Sequence, residues 1–319
     1  MTDIIRGMKA KTIKSVLKKK HTAWVDSIED GAVAKLVKNK SIITGGSIAS
    51  MLLGEPVNDF DVYFRDHDTA LAVAKYYVDR FQPQKTSGIP INISVADTDG
   101  RVRIIVKSAG IASEDGTAED YQYFEARPEG EAEHYVAEVM QDPGDIQDRY
   151  EETEQEALAV EDEKPEYRPV FMSTNAITLS HKVQIVLRFY GDPDDIHENY
   201  DFVHCTNYWQ SWDGHLELRP AALEALLARE LRYVGSKYPV CSLFRLRKFL
   251  LRGWRINAGQ ILKMAMQVSE LNLSNIQTLE DQLTGVDAAY FGEVMTRLKD
   301  KDPNKVNTAY LIEIINRMF

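Results

Sequence analysis

Two glycines and two aspartates, set within about two dozen residues, constrain this chain more than anything else in it. An apolar tetrapeptide, Ser41-Ile-Ile-Thr44, runs into Gly45-Gly46. Ser47–Leu53 follows with helical character, and Gly54 and Pro56 stop it. Asp59–Phe64 then alternates as a strand does. Residues two apart on a strand point the same way, so Asp59 and Asp61 project together while Phe60 and Val62 face the opposite layer. Adjacent carboxylates repel and raise one another's pKa unless something neutralises them. A hard divalent cation does so, and Mg²⁺ takes one or two carboxylates together with substrate phosphates. The Gly-Gly turn supplies the complement: glycines admit a phosphate close to the backbone, and a helix N-terminus offers N–H groups and a favourable dipole. Ser47 adds a hydroxyl. The pattern predicts a phosphate cradle beside a metal-binding carboxylate pair, suited to in-line phosphoryl transfer with two metals. Alone, a Gly-Gly is a common turn and an Asp-x-Asp a common loop end. The separation of 13 residues from Gly46 to Asp59, with a helix between, joins them.

Around this centre the chain divides into three parts. Residues 9–20 read as a short basic helix, more simply a solvated leading helix than an RNA-binding arm. Further helices are expected from Gly31 and over Thr69–Phe81. Strands are expected over Ile89–Val95 and Arg101–Lys107, joined by the turn Asp97-Thr-Asp-Gly100. On the second strand Val102, Ile104 and Val106 form a face to bury, and Arg101, Arg103, Ile105 and Lys107 form the other, read as solvated. Arg168–Leu179 and His181–Phe189 read as strand and helix or as a strand pair. Helices are expected over Ala221–Leu231, Ser242–Leu251, Asn257–Leu271, Ser274–Leu283, Asp287–Leu298 and Asn307–Phe319. Asn257 and Ser274 are the expected N-caps, and Gly253 and Gly285 the stops. The division is a basic helix over 1–22, a catalytic domain over 23–216 and a helical domain over 217–319, with its boundary near Leu216.

Charge is unevenly placed. The 319 residues carry a net −11, yet Glu114–Glu166 holds 20 acidic residues against Arg127, Arg149 and Lys164. That segment alone carries −17, so the remainder is +6, compatible with nucleotide or RNA binding. Residues 112–166 read as an acidic insertion. Cys205 and Cys241 are the only cysteines and form no CxxC pattern, which argues against a disulfide framework or zinc knuckle and fits a reducing, cytoplasmic setting. No apolar run reaches bilayer length, and no secretory signal is read. His181, His197, His204 and His215 lack metal-ligand spacing, and His67 falls in a charged loop. Neither GxSxG nor GxxxxGK[ST] occurs.

The segment from Ile43 to Phe64 resembles the head motif of the DNA polymerase β nucleotidyltransferase superfamily. It is especially similar to the head of CCA-adding and poly(A) polymerases. The resemblance implies an α+β fold: a mixed sheet flanked by helices, interrupted here by the acidic insertion and followed by the helical domain. It implies a nucleotidyltransferase that uses an NTP, ATP included, with two Mg²⁺ or Mn²⁺ ions, transfers NMP to an acceptor hydroxyl and releases pyrophosphate. Asp59 and Asp61 would hold the metals, and Gly45, Gly46 and Ser47 the phosphates. The superfamily also needs a third carboxylate on a later strand. Asp201, before the apolar pair Phe202-Val203, is the candidate, ahead of Asp97 and Asp99 in their turn. The lead into Asp201 resembles viral and phage proteins of this type. Tyr238–Trp254 is similar to the cationic helix that contacts triphosphate in poly(A) polymerases, with Arg245 and Lys248 on one face, Arg252 a turn along, Arg247 off it, and Tyr238 as a candidate to stack on a base. Ile48-Ala49 replaces the Arg-Asp of bacterial CCA-adding enzymes, which points away from CCA addition. An RNA 3′ end is the favoured acceptor. A protein side chain, a small alcohol, or a non-catalytic protein that binds nucleotide or a partner are the alternatives.

Overall fold

The computed structural model describes residues 7–80, 91–98, 100–108, 167–172 and 175–273, with Asn275, Thr278 and Gln282. The acidic insertion, the helices expected over Asp287–Leu298 and Asn307–Phe319, most of that over Ser274–Leu283, Ser274 as an N-cap and the stop at Gly285 lie outside the described residues. The chain divides into two compact units, which meet in sequence between Val234 and Gly235.

In the first unit, α1 spans Ala10–Asp26 and buries Ile13, Leu17, His21 and Trp24 at helical spacing. Lys11, Lys14, Lys18 and Lys19 point to solvent. The helix outruns the expected stop at residue 20 because the apolar stripe continues through Trp24. That ring is fully buried, donates from Nε1 to the Tyr77 hydroxyl at 2.7 Å and packs against Phe64. Asp30 caps α2 (Gly31–Lys40) by accepting from the amides of Ala32 and Val33. Then come β1 (Ser41–Thr44), α3 (Gly46–Leu53), β2 (Phe60–Phe64) and α4 (His67–Arg80).

A hairpin follows, β3 (Ile91–Thr98) with β4 (Arg101–Ser108), in register from Ile91↔Ser108 to Thr98↔Arg101. Its tight turn uses Gly100 at φ 67°. Val102 and Ile104 are buried and Arg101 is exposed, as the alternation predicted. His67 clasps the hairpin to α4, with Nε2 at 2.9 Å from Asp97 and Nδ1 at 3.3 Å from Asp68.

After the insertion come β5 (Pro169–Met172), β6 (Ala176–Leu179) and β7 (Val183–Tyr190), the short α5 (Pro193–His197), a 3-10 turn (Val203–Cys205), β8 (Tyr208–Gln210), β9 (Leu216–Glu217) and α6 (Pro220–Ala228). The regular elements described between Arg168 and Phe189 are thus strands rather than a strand and a helix. Among the described residues β5-β6-β7-β2-β1-β8-β9 forms one mixed sheet. Only β2–β7 is parallel; β1 pairs antiparallel with both β2 and β8. The class is α+β, a mixed sheet flanked by helices. One sheet face, with Ile43, Phe60, Val62 and Phe64, joins residues of α1 to α4 in the main core. The other carries Ile42 and Tyr63 against Ile196 of α5, with Tyr200, Tyr208 and Trp212 around them.

The second unit contains α7 (Pro239–Leu251) and α8 (Ala258–Ser269). Asn257 caps α8 by accepting from the Gln260 amide at 3.1 Å, and Gly253 ends α7 at φ 79°. The Gln267 side chain ties to Ser236 in both directions, donating at 2.8 Å and accepting at 3.2 Å. Among the described residues no helix is long and apolar enough to cross a membrane.

Three buried histidines give the fold a pH dependence. Burial pushes His21 and His204 down to about 4, and His197, with the Arg219 charge adding to burial, down to about 3. Their ordinary value is 6.5. The unfolded chain therefore binds more protons than the folded one between these values, and stability is complete above 6.5 and lost as pH falls below it. The urea midpoint is expected to drop steadily from pH 6.5 toward pH 4 and to be flat from 7 to 8. A midpoint unchanged between pH 7 and pH 5 would contradict this.

Candidate active site

The site is built where β1 ends. Gly45 has φ 89° and ψ −149°, a backbone that side chains strongly disfavour, and it serves as N-cap of α3 with no side-chain cap. A Cβ there would stand 2.6 Å from Asp61 Oδ2 and 3.5 Å from the Tyr200 hydroxyl. The carboxylate and the phenol thus flank the turn at the head of α3. The sheet register explains the approach, since Thr44 lies directly opposite Asp61 on the antiparallel neighbour. At Gly46 an added Cβ would meet nothing within 4 Å, so the space beside it is open.

Ser47 is 2% exposed, and among the described residues its Oγ has no hydrogen-bond partner. A buried hydroxyl without a partner costs roughly 1–3 kcal/mol, and such orphans point to a missing ligand or water. α3 presents the amides of its first turn, which have no partner inside a helix. It ends at Gly54, φ 71° and ψ 24°, the stop expected.

Asp59 precedes β2 and is half-buried, as is Asp61 within it. Their backbone is anchored from the far side: the Phe60 amide donates to the Lys182 carbonyl at 2.7 Å, and Lys182 Nζ donates to the Val57 carbonyl at 3.3 Å. The neighbour of Asp61 on the parallel strand is Gln184, an amide where a third carboxylate could have stood.

Beneath the turn lies a hydrogen-bond network that the sequence did not announce. The Thr44 hydroxyl is 2.8 Å from His197 Nε2 and donates to the Asn207 carbonyl at 2.9 Å, with the Cys205 carbonyl at 3.3 Å. One hydroxyl proton serves the carbonyls, so His197, held neutral by burial, donates through Nε2–H. The Gly45 amide donates to the Cys205 carbonyl at 3.2 Å. Tyr200 packs between Tyr63 (ring centroids 6.1 Å apart) and His197 (5.0 Å). Burial, then the neighbouring Tyr63 and Asp61, raises its phenol well above the ordinary range, so it keeps its proton.

Asp201 is placed differently from Tyr200. It is buried, its carbonyl accepts from the Val234 amide at 2.9 Å, and its charge acts on His204. The expected core strand after it shrinks to one bridge, Phe202↔Tyr233, and the 3-10 turn. The physical reason is the pull of the Cys205 carbonyl onto Gly45 and Thr44, which turns the chain out of a straight path. Among the described residues no three His, Cys, Asp or Glu side chains converge closely enough to hold a metal, so Asp59, Asp61 and Asp201 do not form such a group. Arg245, half-buried, and Lys248, exposed, lie on α7 of the second unit.

The mixed sheet, with a glycine turn closed against a strand carboxylate, defines an α+β protein. The chain belongs to the Gabija anti-defense 2 family, whose profile matches residues 15–229, more than half of its length. It is 22% identical over 125 residues to the Gabija anti-defense 2 protein of Bacillus phage SPbetaL7, a stretch covering 39% of this chain and 31% of that protein. The solved structures similar to it include the Thermotoga maritima CCA-adding enzyme complexed with tRNA-CCA (14% identity, TM-score 0.37, 82% of this chain and 50% of that one). A CCA-adding enzyme in complex with CTP is another (14% identity, TM-score 0.40, 98% and 50%). The chain thus spans about half the length of these structures and a smaller share of the phage relative.

Proposed function

We propose that this protein is a metal-dependent nucleotidyltransferase that moves NMP from an NTP to an acceptor hydroxyl with release of pyrophosphate, and that it acts against a Gabija defence, a role in keeping with the family's name. The observation that carries this reading is the corner itself: an open glycine turn, a buried Ser47 hydroxyl lacking a partner, and Asp61 closed against Gly45. These residues fit a triphosphate with its cation. Ser47 donates to a phosphate oxygen, satisfying its own burial. The first-turn amides of α3 face the anion with the positive end of the helix dipole. Asp59 and Asp61 would hold two Mg²⁺ or Mn²⁺ ions, which when bound neutralise the triphosphate and favour the deprotonated acceptor hydroxyl. An RNA 3′ end is the acceptor favoured here, on the head motif and the cationic α7. Family membership supports a second acceptor, a protein of the host defence. Arg245 and Lys248 are the proposed additional phosphate contacts, and a cytoplasmic setting goes with all of these partners.

The test is label transfer from each α-labelled NTP, with Mg²⁺ or Mn²⁺, to panels of RNAs and of host proteins. Asp59→Asn/Asp61→Asn is expected to lower transfer roughly a thousandfold, the loss of about 4 kcal/mol of metal-borne stabilisation. Metal-independent transfer, or transfer that survives the double substitution, would overturn the reading. Asp201→Asn decides the third carboxylate: full activity leaves Asp59 and Asp61 as the complete set, and loss without unfolding restores Asp201 to it.

A further inference from the structure

We infer that Lys182 is a positioning residue for Asp59, its two hydrogen bonds holding the stretch of backbone that carries this carboxylate where a metal-bound triphosphate requires it. This rests on the proposed nucleotidyl transfer and adds to it a residue that acts through the main chain.

The two carboxylates are held by different means. Asp61 lies inside the sheet, opposite Thr44 on one side and Gln184 on the other, so both neighbouring strands fix its backbone. Asp59 precedes β2 and lies outside both ladders, which begin at Phe60 on the β7 side and at Asp61 on the β1 side. Strand pairing therefore does not set its backbone. Lys182 grips the chain on either side of it. The Lys182 carbonyl accepts from the Phe60 amide at 2.7 Å, one residue after Asp59. Lys182 Nζ donates to the Val57 carbonyl at 3.3 Å, two residues before it. Main chain and side chain of one residue thus bracket Asn58-Asp59.

The turn that presents Lys182 is strained. His181 and Lys182, between β6 and β7, have φ 60° and 63°, the left-handed region that residues with a Cβ seldom enter. Two such residues in succession persist only where their surroundings impose the conformation. Lys20 of α1 donates from Nζ to the His181 carbonyl at 2.6 Å, and the same ammonium stands 5.2 Å from the centre of the Phe60 ring. Both carbonyls of the strained pair are therefore engaged, one by α1 and one by the start of β2. Glycine would make this turn without strain, and would still offer a carbonyl to Phe60. What it would lose is the ammonium that reaches Val57. The bond to Val57, rather than the turn, accounts for a lysine at this position.

The experiment compares the wild-type chain with Lys182→Met, Lys182→Gly, Lys182→Arg and Asp59→Asn/Asp61→Asn. Three quantities are read: Mn²⁺ binding by EPR in the presence of a non-hydrolysable NTP analogue, Mg²⁺-dependent label transfer, and the thermal midpoint. Lys182→Gly relieves the strain and is expected to keep the wild-type midpoint or exceed it. Its metal constant is nevertheless expected to rise about tenfold, with a fall in transfer rate at saturating NTP of about the same size, and Lys182→Met should match it. The KM for NTP should move far less. Lys182→Arg, which restores a donor toward Val57, should return both quantities to within about threefold of wild type. A merely structural lysine would make activity follow stability, so a stable and slow Lys182→Gly separates the two roles. Wild-type metal binding and rate in Lys182→Met and Lys182→Gly, with the double variant inactive, would overturn the role of Lys182 and leave nucleotidyl transfer standing. Losses that track the midpoint across the three Lys182 variants would overturn it equally. Metal binding and transfer absent from the wild type, or unaffected in the double variant, would overturn both readings.

Discussion

Gly45→Ala is expected to abolish nucleotidyl transfer while leaving a protein that still folds. Two independent causes act at this position. The backbone at φ 89° and ψ −149° lies in a region that residues with a Cβ avoid, at a cost of about 1–3 kcal/mol. The new methyl would also stand 2.6 Å from Asp61 Oδ2, closer than real Cβ contacts come, so the carboxylate or the turn must move. A displacement of about 1 Å among reacting groups costs on the order of a hundredfold in rate, and here the displaced group is a proposed metal ligand. Activity should fall by a hundredfold or more, with a fall in the urea midpoint equivalent to no more than about 3 kcal/mol. Gly46→Ala is the control. Nothing lies within 4 Å of its added Cβ, and Gly46 is already the first helical residue, so stability should hold or rise slightly. Triphosphate binding should weaken if a phosphate uses that open space. Equal activity of Gly45→Ala and wild type would remove the corner from the mechanism.

The largest loss of stability is expected from Trp24→Ala. The side chain is fully buried, joins α1 to the sheet through Phe64 and donates to the Tyr77 hydroxyl on α4. Truncating a buried tryptophan costs about 3–5 kcal/mol, and the phenol it abandons adds to that. For a unit of this size the thermal midpoint should fall by roughly 8–15 °C. Trp24→Phe keeps an aromatic contact while losing the N–H, and should lie between the two. A fall of less than 2 °C for Trp24→Ala would mean that α1 is not an integral part of the core.

Local pattern carried far in this protein. The strand–turn–helix–strand order from Ser41 to Phe64, the stop at Gly54, the cap at Asn257 and the Val102/Ile104 face follow from apolar period and turn chemistry acting over a few residues. Element ends were less legible where a tertiary partner extends or cuts them. α1 continues to Asp26 because Trp24 finds Phe64 and Tyr77, and α6 stops at Ala228, where Arg229 turns left-handed and bonds Glu55. Asp201 shows the limit most clearly. Phe202-Val203 looks like the start of a core strand, yet the Cys205 carbonyl accepts from Thr44 and Gly45 and the segment forms a 3-10 turn. No local property of Tyr200, His197 or Thr44 marks them, since their association depends on contacts between distant parts of the chain.

That distance governs when the corner can exist. Thr44 is separated from His197 by 153 positions and from Asn207 by 163, and both bonds buttress the turn. β2 likewise waits for β7 as its parallel neighbour, and β1 for β8. On a ribosome the glycine turn emerges ahead of its supports and lacks them until residues beyond 207 have left the exit tunnel. Nascent chains cut short before that point should carry both aspartates and yet bind no nucleotide. Non-local pairing of this kind folds slowly, so competence should appear late and abruptly after release rather than grow with chain length.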